Sequence, residues 1–435
     1  MKTPGSAASA PSGAPDRKTA VEALTHFGTA FGFLIVGLAA LVWNSGRLSQ
    51  GLFFDPKVLA GLHLITLGWL SLSIFGALRV FTGVALGTQG FATGLVPWIR
   101  RLWVVGALLF PLGLAFQLPL GILVGVSAIG VALTLFTIHV VPSLVRSRRG
   151  GLTRGFLAIA LVSLWGTWLL GATAASARAG APIAPLPAGY LLAHILFSVF
   201  GWVGAMVVGV GSHLIPMFAL SRDSSRVPVK VALPVWATIP VFAAWGAFHP
   251  DPYLILGFVA AAIGSALWFL QVAIYLREKL RHERDPGLFL AGGATLLLIA
   301  AWIVGATAKM PIPFIGLVVI GWLTLFTLGI YHRVIPFLVW FARFARRAGR
   351  GPVPKVKELI DERLGMATAI SALGGAVTWA FGLVGGGALA VYLGSTLVLI
   401  GCVLAIGQWR TLSGEPRRPA EGAPSAVLAK GGYAS

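Results

Sequence analysis

Eight histidines stand in a chain of 435 residues, and two of them occupy matching places. His63 lies about five residues into one apolar run, LAGLHLITLGWLSLSIFGALRVF (59–81), and His194 lies a similar way into another, LAHILFSVFGWVGAMVVGVGSHLIPMFAL (192–220). At about 1.5 Å per residue, each sits roughly 8–10 Å inside the end of its helix. Two neutral imidazoles at equal depth on neighbouring helices can clamp a haem iron axially or hold a copper ion. The plainer alternative is that each ring bonds a carbonyl or hydroxyl of a neighbouring helix and serves packing alone. Either way, a polar ring in hydrocarbon is costly enough to need a partner.

A second tier consists of His139, His213 and His332, in the strings His-Val-Val-Pro, His-Leu-Ile-Pro and His-Arg-Val-Ile-Pro. A proline one turn after a polar residue relieves the hydrogen-bond ladder and marks a helix exit. These three are weaker metal candidates, because an interfacial histidine also reaches headgroups and terminal carbonyls. His26, His249 and His282 fall at ends or in loops and are assigned no role. Arg79 is a candidate partner for a haem propionate, against the alternative of snorkelling to the interface. Trp69, Trp202 and Trp322 read as packing residues ahead of electron relays. All thirteen acidic residues fall in expected loops, tails or helix ends. That speaks against an ion-coupled carrier, which keeps an intramembrane carboxylate, and against acid/base hydrolysis.

The elements that must position these side chains are membrane helices. Hydrophobic residues make up 57% of the chain and charged ones 11%, against about 25% charged in ordinary domains. Twelve apolar runs are long enough to span a bilayer: 24–45, 58–82, 97–116, 119–144, 154–175, 187–220, 229–248, 252–276, 287–307, 311–341, 365–384 and 387–408. The sixth and tenth are long and imply tilt or an interfacial end. The fold class is therefore all-α and polytopic, with lipid bilayer as solvent.

The net charge of +20 invites nucleic acid as a partner, but its distribution excludes that. With both termini cytoplasmic, 29 of the 33 Lys and Arg lie inside, and only Arg47, Lys57, Arg178 and Lys309 lie outside. The expected organisation is a disordered cytoplasmic tail (1–23), a twelve-helix membrane domain (24–410) and a second disordered tail (411–435). The first span is expected to be an uncleaved anchor in the cell membrane. The basic stretch 343–363 reads as a solvated loop near anionic lipid. Cys402 is the single cysteine, so there is no disulfide, thiolate cluster or C-x-x-C-H haem attachment.

Three Gly-Trp steps, Gly68-Trp69, Gly201-Trp202 and Gly321-Trp322, fall in the second, sixth and tenth runs. Ten or eleven residues after each tryptophan comes a basic residue: Arg79, His213 or His332. A spacing of four helices predicts an internal repeat of three quasi-equivalent four-helix units.

These residues resemble subunit I of the haem-copper oxidases, closest to the C-type cytochrome oxidase and nitric oxide reductase branch and to short subunit I-like proteins. The resemblance rests on Leu62-His63 through Gly68-Trp69 to Leu78, on Ala193-His194 through Gly201-Trp202 to Pro216, and on Gly321-Trp322 to His332 with Pro336, and it covers about 24–410. It implies that His63 matches a low-spin haem ligand and His194 a copper ligand. Where the family carries His-x-His in its tenth helix, this chain has Phe314 and Gly316; where the family has a His-His pair, Val231 to Phe248 has no histidine. The implied protein binds haem b, or copper, through intramembrane histidines for electron transfer or handling of a small gas such as NO or O2. It lacks a complete binuclear oxygen-reducing site, and it works with an electron-donor protein or another membrane subunit. The alternative is a non-enzymatic permease, a metal- or haem-handling protein, or an accessory subunit on the same scaffold.

Overall fold

The computed structural model describes residues 16–87, 94–148, 150–221, 224–280, 285–308, 311–348, 351–385 and 387–410. Most of the two expected tails, Lys309 and His282 lie outside them. Among the described residues, twelve helices are long and apolar enough to cross a membrane. They are α1 (Arg17–Trp43), α2 (Pro56–Gly83), α3 (Val96–Phe116), α4 (Pro119–Arg146), α5 (Gly151–Arg178), α6 (Tyr190–Ala219), α7 (Val227–Phe248), α8 (Pro250–Arg277), α9 (Pro286–Thr307), α10 (Pro313–Arg347), α11 (Glu362–Gly385) and α12 (Ala388–Trp409). No strand occurs among the described residues. The chain is an all-α polytopic membrane protein.

The starts of the helices follow from local chemistry. Proline, whose missing N–H costs nothing in a first turn, opens α2, α4, α8 and α9. Asp55 caps α2 by accepting from the Lys57 N–H at 2.8 Å. Asp16 caps α1 in the same way, accepting from the Thr19 N–H at 2.7 Å. The hydrogen bonds from Thr19 hold the Asp16 carboxyl below its ordinary value. This cap corrects the expected boundary at residue 24. Helix begins at Arg17, and the small residues Ala20 and Ala23 are fully buried. The apolar window alone missed these first two turns because Arg17, Lys18, Thr19 and Glu22 lower their hydropathy.

Three helices are inside the others. The central stretches of α2, α6 and α10 are 67%, 72% and 83% buried, against 39–50% for the other nine. Around them α3–α4, α7–α8 and α11–α12 form closely packed hairpins, and α1, α5 and α9 lie against α2, α6 and α10 respectively. The circle closes: α4 packs on α5, α8 on α9, and α12 on α1. The outer helices turn large apolar side chains outward, including Val131, Ile138, Ile263, Leu270 and Ile400. In water such a belt would be a liability, but against lipid tails it costs nothing. These are the three quasi-equivalent four-helix units that the Gly-Trp phasing predicted.

Each central helix also changes pitch at the same place. Leu64–Ser71 in α2, Leu196–Gly204 in α6 and Leu317–Thr324 in α10 are π-helical, and each segment contains its Gly-Trp step. A π turn is rare, widens the helix and leaves a carbonyl available to another partner. In the first two units that partner is a tryptophan from the next helix. Trp103 of α3 donates to the Leu67 carbonyl at 2.9 Å, and Trp236 of α7 donates to the Phe200 carbonyl at 2.8 Å. Leu67 and Phe200 each immediately precede the Gly-Trp step. The glycines are needed for close approach: a Cβ on Gly68 would meet Phe33 at 2.3 Å, and one on Gly201 would meet Ser163 Oγ at 2.4 Å.

The long connection after α10 is docked. Trp340 donates to the Pro354 carbonyl at 2.6 Å, and Leu359, in a short 3-10 turn (Val356–Leu359), is buried. Its described charged side chains, among them Arg346, Arg347, Lys355, Lys357 and Arg363, are exposed, as expected of a solvated basic loop.

Candidate functional site

The described polar residues gather at two levels. Below, the end where α2, α6 and α10 finish is called the basic end, and the end where they begin is called the sparse end. The first level, near the sparse end, holds His63 and His194. The two imidazoles are close enough to interact electrostatically, although 131 positions separate them in the chain. Both are half-buried, as are Thr66 beside His63, Ser198 beside His194, and Thr167 on α5.

His63 Nδ1 lies 2.8 Å from the Leu59 carbonyl, one turn back on its own helix. That contact makes Nδ1 the protonated nitrogen and leaves the lone pair on Nε2, the arrangement in which an imidazole serves as a ligand. The ring edge packs against Phe110 of α3 at 5.2 Å between centroids. His194 lies against Gly171 of α5, where an added Cβ would meet its Cε1 at 3.1 Å. The Thr167 carbonyl is nearby, yet Nδ1 of His194 is buried without a hydrogen-bond partner. An unmade bond on a buried nitrogen costs about 1–3 kcal/mol. The pair therefore offers one oriented donor nitrogen and one unsatisfied ring.

Among the described residues no group of three or more His, Cys, Asp or Glu side chains converges on one point. A bare transition-metal ion prefers more donors than two. Two imidazoles suffice for the axial positions of a haem whose macrocycle supplies the rest. By donor chemistry the two imidazoles suit such a group. There is no room for it on the axis, where Trp69, Trp202 and Trp322 are 0–2% exposed. Trp202 donates to Ser71 Oγ at 3.1 Å, and Trp69 lies 4.7 Å from the Tyr331 ring.

In α10 the two places that correspond to the histidines are filled by aromatic packing. A Cβ on Gly316 would meet Trp379 at 2.3 Å. Phe314 packs on Trp302 at 4.7 Å and on Phe200 at 6.3 Å.

The second level, near the basic end, holds Arg79 and the other three histidines, but not as one set. Arg79 is 8% exposed, and its Nε and Nη2 both donate to Glu22 of α1. Glu22, expected in a tail, lies in the second turn of α1 and supplies Arg79 with a carboxylate. His26, given no role from sequence, is 3% exposed beside this pair, with Nδ1 2.8 Å from the Glu22 carbonyl. His139 of α4 and Arg100 of α3 are electrostatic neighbours of the same cluster. Arg79 is sixteen residues from His63, about 24 Å along the helix. It therefore cannot serve one group together with the His63–His194 pair.

His332 belongs to a different cluster in the third unit. It is 2% exposed, its Nδ1 faces the Leu328 carbonyl at 2.8 Å, and its Nε2 is buried without a partner. Next to it Arg333 pairs with Asp285, which also caps α9 through the Gly287 and Leu288 N–H groups. His213, in the second unit, is half-buried against the Phe81 ring at 5.1 Å. His139 and His332 thus belong to separate polar clusters, and His213 packs on an aromatic ring of α2.

Glu22 and Asp285 could have been found from sequence, since each lies on the first helix of a unit near a basic residue placed by the Gly-Trp phasing. No family model matches the chain, and no curated protein matches it.

Proposed function

We propose that this chain is a membrane haem protein of the oxidase subunit I type, in which His63 and His194 would hold a haem b near the sparse end. The observation that carries the reading is that these two rings, from α2 and α6, lie at the same level near the sparse end, with His63 Nδ1 engaged by its own helix and His194 Nδ1 beside the Thr167 carbonyl of α5. The closed circle of three units around α2, α6 and α10 supports the same resemblance. When bound, the haem would supply one-electron redox chemistry or a gas-binding iron, suited to electron transfer or to NO or O2 handling. The protein's part is to fix the imidazoles and keep the surroundings apolar. Copper on the same pair is the second candidate, and it has fewer donors in its favour.

The Lys and Arg distribution orients both termini to the cytoplasm of a cell inner membrane. An electron-donor protein or a further membrane subunit is the expected partner. Because its carboxylate is already supplied by Glu22, Arg79 is assigned to the fold and not to a propionate.

The test is haem and metal content, with optical spectra, of the full chain purified after expression with added haem precursor. A Soret band that is lost in both His63→Ala and His194→Ala, with the thermal midpoint largely kept, is the expected result. Absence of both haem and copper from the folded wild-type protein sinks the proposal and leaves the permease or accessory reading.

A further inference from the structure

The seams between neighbouring units are not alike. Gly201 of α6 is faced by Ser163 of α5, and Gly321 of α10 by Leu297 of α9, so α5 and α9 stand in register. Five residues further on, each carries a tryptophan, Trp168 or Trp302. Trp168 closes the seam between α4 and α5. Its Nε1 donates to the Val126 carbonyl of α4 at 3.0 Å, and its ring lies against Gly130, where a Cβ would meet it at 2.3 Å. An interval of 133 residues relates Trp103 to Trp236 and Pro119 to Pro252. The same interval puts Val259 and Ile263 of α8 in the places of Val126 and Gly130. Trp302 makes no bond like that of Trp168. Its ring packs on Phe314 and Phe200, at 4.7 and 5.5 Å, and its Nε1 finds no acceptor among the described residues.

The seam between α8 and α9 is left with an open groove of about 370 Å³. Leu254, Phe258, Val259 and Ala262 of α8 line it, together with Trp302 of α9 and Leu192 of α6. Leu254 is buried and Phe258 and Trp302 are half-buried, whereas Leu192 and Val259 belong to the exposed apolar belt. The groove is therefore closed toward the core and open toward lipid. Asp251 stands at its mouth, near Tyr253, whose ring lies 6.3 Å from that of the exposed Trp245. Such rings mark the membrane interface. Residues 254–262 span about 12 Å of helix, less than half of a hydrocarbon core of about 30 Å. The groove runs inward from the interface within one leaflet.

Water in this groove would lack polar partners, and an empty groove forfeits the dispersion contacts of its lining. The surrounding belt already faces lipid tails, and a flexible chain can follow the helix inward. We infer that the groove holds one acyl chain of a phospholipid from the leaflet at the sparse end, retained longer than the lipids around it, with its head group at the level of Asp251. The preference is one of packing, since moving a chain between two apolar media brings no hydrophobic gain. It does not depend on haem at the His63–His194 pair.

Photolabelling tests this. The full-length protein is placed in phosphatidylcholine nanodiscs with a trace of phosphatidylcholine carrying a diazirine at mid-chain, and adducts are mapped by mass spectrometry. Residues 254–262 and Trp302 are expected to be labelled several-fold more than their counterparts at the closed seam, 121–129 and Trp168. Filling the groove by Ala262→Phe or, separately, Val259→Trp is expected to remove the excess. Trp168→Ala is expected to raise labelling of 121–129. Equal labelling of the two seams in the unaltered protein overturns the proposal. So does an excess that persists in both filling variants with their thermal midpoints kept. Absence of label from α8 while α4 is labelled gives the face to a protein neighbour, and hexadecane clearing the label as readily as unlabelled phosphatidylcholine makes the groove a site for any apolar body. Either outcome removes the phospholipid.

Discussion

The indole N–H of Trp236 donates to the carbonyl of Phe200 at 2.8 Å, thirty-six residues back in the chain. The same separation joins Trp103 to Leu67. In both units a tryptophan of the outer hairpin takes up the carbonyl released by the π turn of the inner helix. In the third unit Trp379 reaches α10, packing on Gly316, but its Nε1 is buried without an acceptor.

Trp103→Phe and Trp236→Phe should each lower stability by about 1–2 kcal/mol beyond the loss of ring area, because a buried carbonyl loses its donor. Trp379→Phe removes no such bond and should cost less. Thermal midpoints in detergent measure the difference. Equal losses at all three positions would mean that the indole bonds carry no weight.

Gly68→Ala and Gly201→Ala force a methyl into Phe33 and Ser163, and overpacking of this kind costs about 1–3 kcal/mol. Gly28→Ala in α1 meets nothing within 4 Å and is the control. Gly316→His should be destabilising alone and partly rescued by Trp379→Ala, since Trp379 fills that space. A stable single variant would contradict the packing described.

The ion pairs Glu22–Arg79 and Asp285–Arg333 differ in burial. The Glu22 and Arg79 side chains are 23% and 7% exposed, and those of Asp285 and Arg333 are 7% and 17% exposed. Surface pairs contribute about 0–1 kcal/mol, and breaking fully buried ones costs about 3–5. Glu22→Gln should cost about 2 kcal/mol. Asp285→Asn should cost slightly more, even though asparagine still caps α9. Double variants that also remove the arginine charge, Glu22→Gln with Arg79→Met and Asp285→Asn with Arg333→Met, should recover part of each loss. A double-mutant cycle with no coupling would make both pairs incidental.

Cys402 is fully buried in α12 and is the chain's single thiol. A membrane-permeant maleimide should leave the native protein unlabelled and react at one site after denaturation. Rapid native labelling would mean that α12 opens readily.

The twelve spans and their grouping in fours were readable because hydrophobic length and loop charge are properties of composition, which folding does not alter. His63 and His194 were readable together because each lies a similar way into its apolar run, although five residues separate His63 from Gly68 and seven separate His194 from Gly201. Glu22 and His26 were not, because the first helix was begun at an apolar residue when the Asp16 cap starts it earlier. The π turns carry no residue pattern of their own. Their trace in the sequence is the repeated interval from Leu67 to Trp103 and from Phe200 to Trp236, which has meaning only once a carbonyl is known to be free.

Since α12 packs on α1 as α4 packs on α5, and α1 begins at the same end where α12 finishes, the bundle has no privileged first unit. A chain cut between Ser147 and Gly151, with its old ends joined, would traverse the same neighbours in the same order beginning from α5. Circular permutation at that junction, or at the one between α8 and α9, therefore preserves every helix contact.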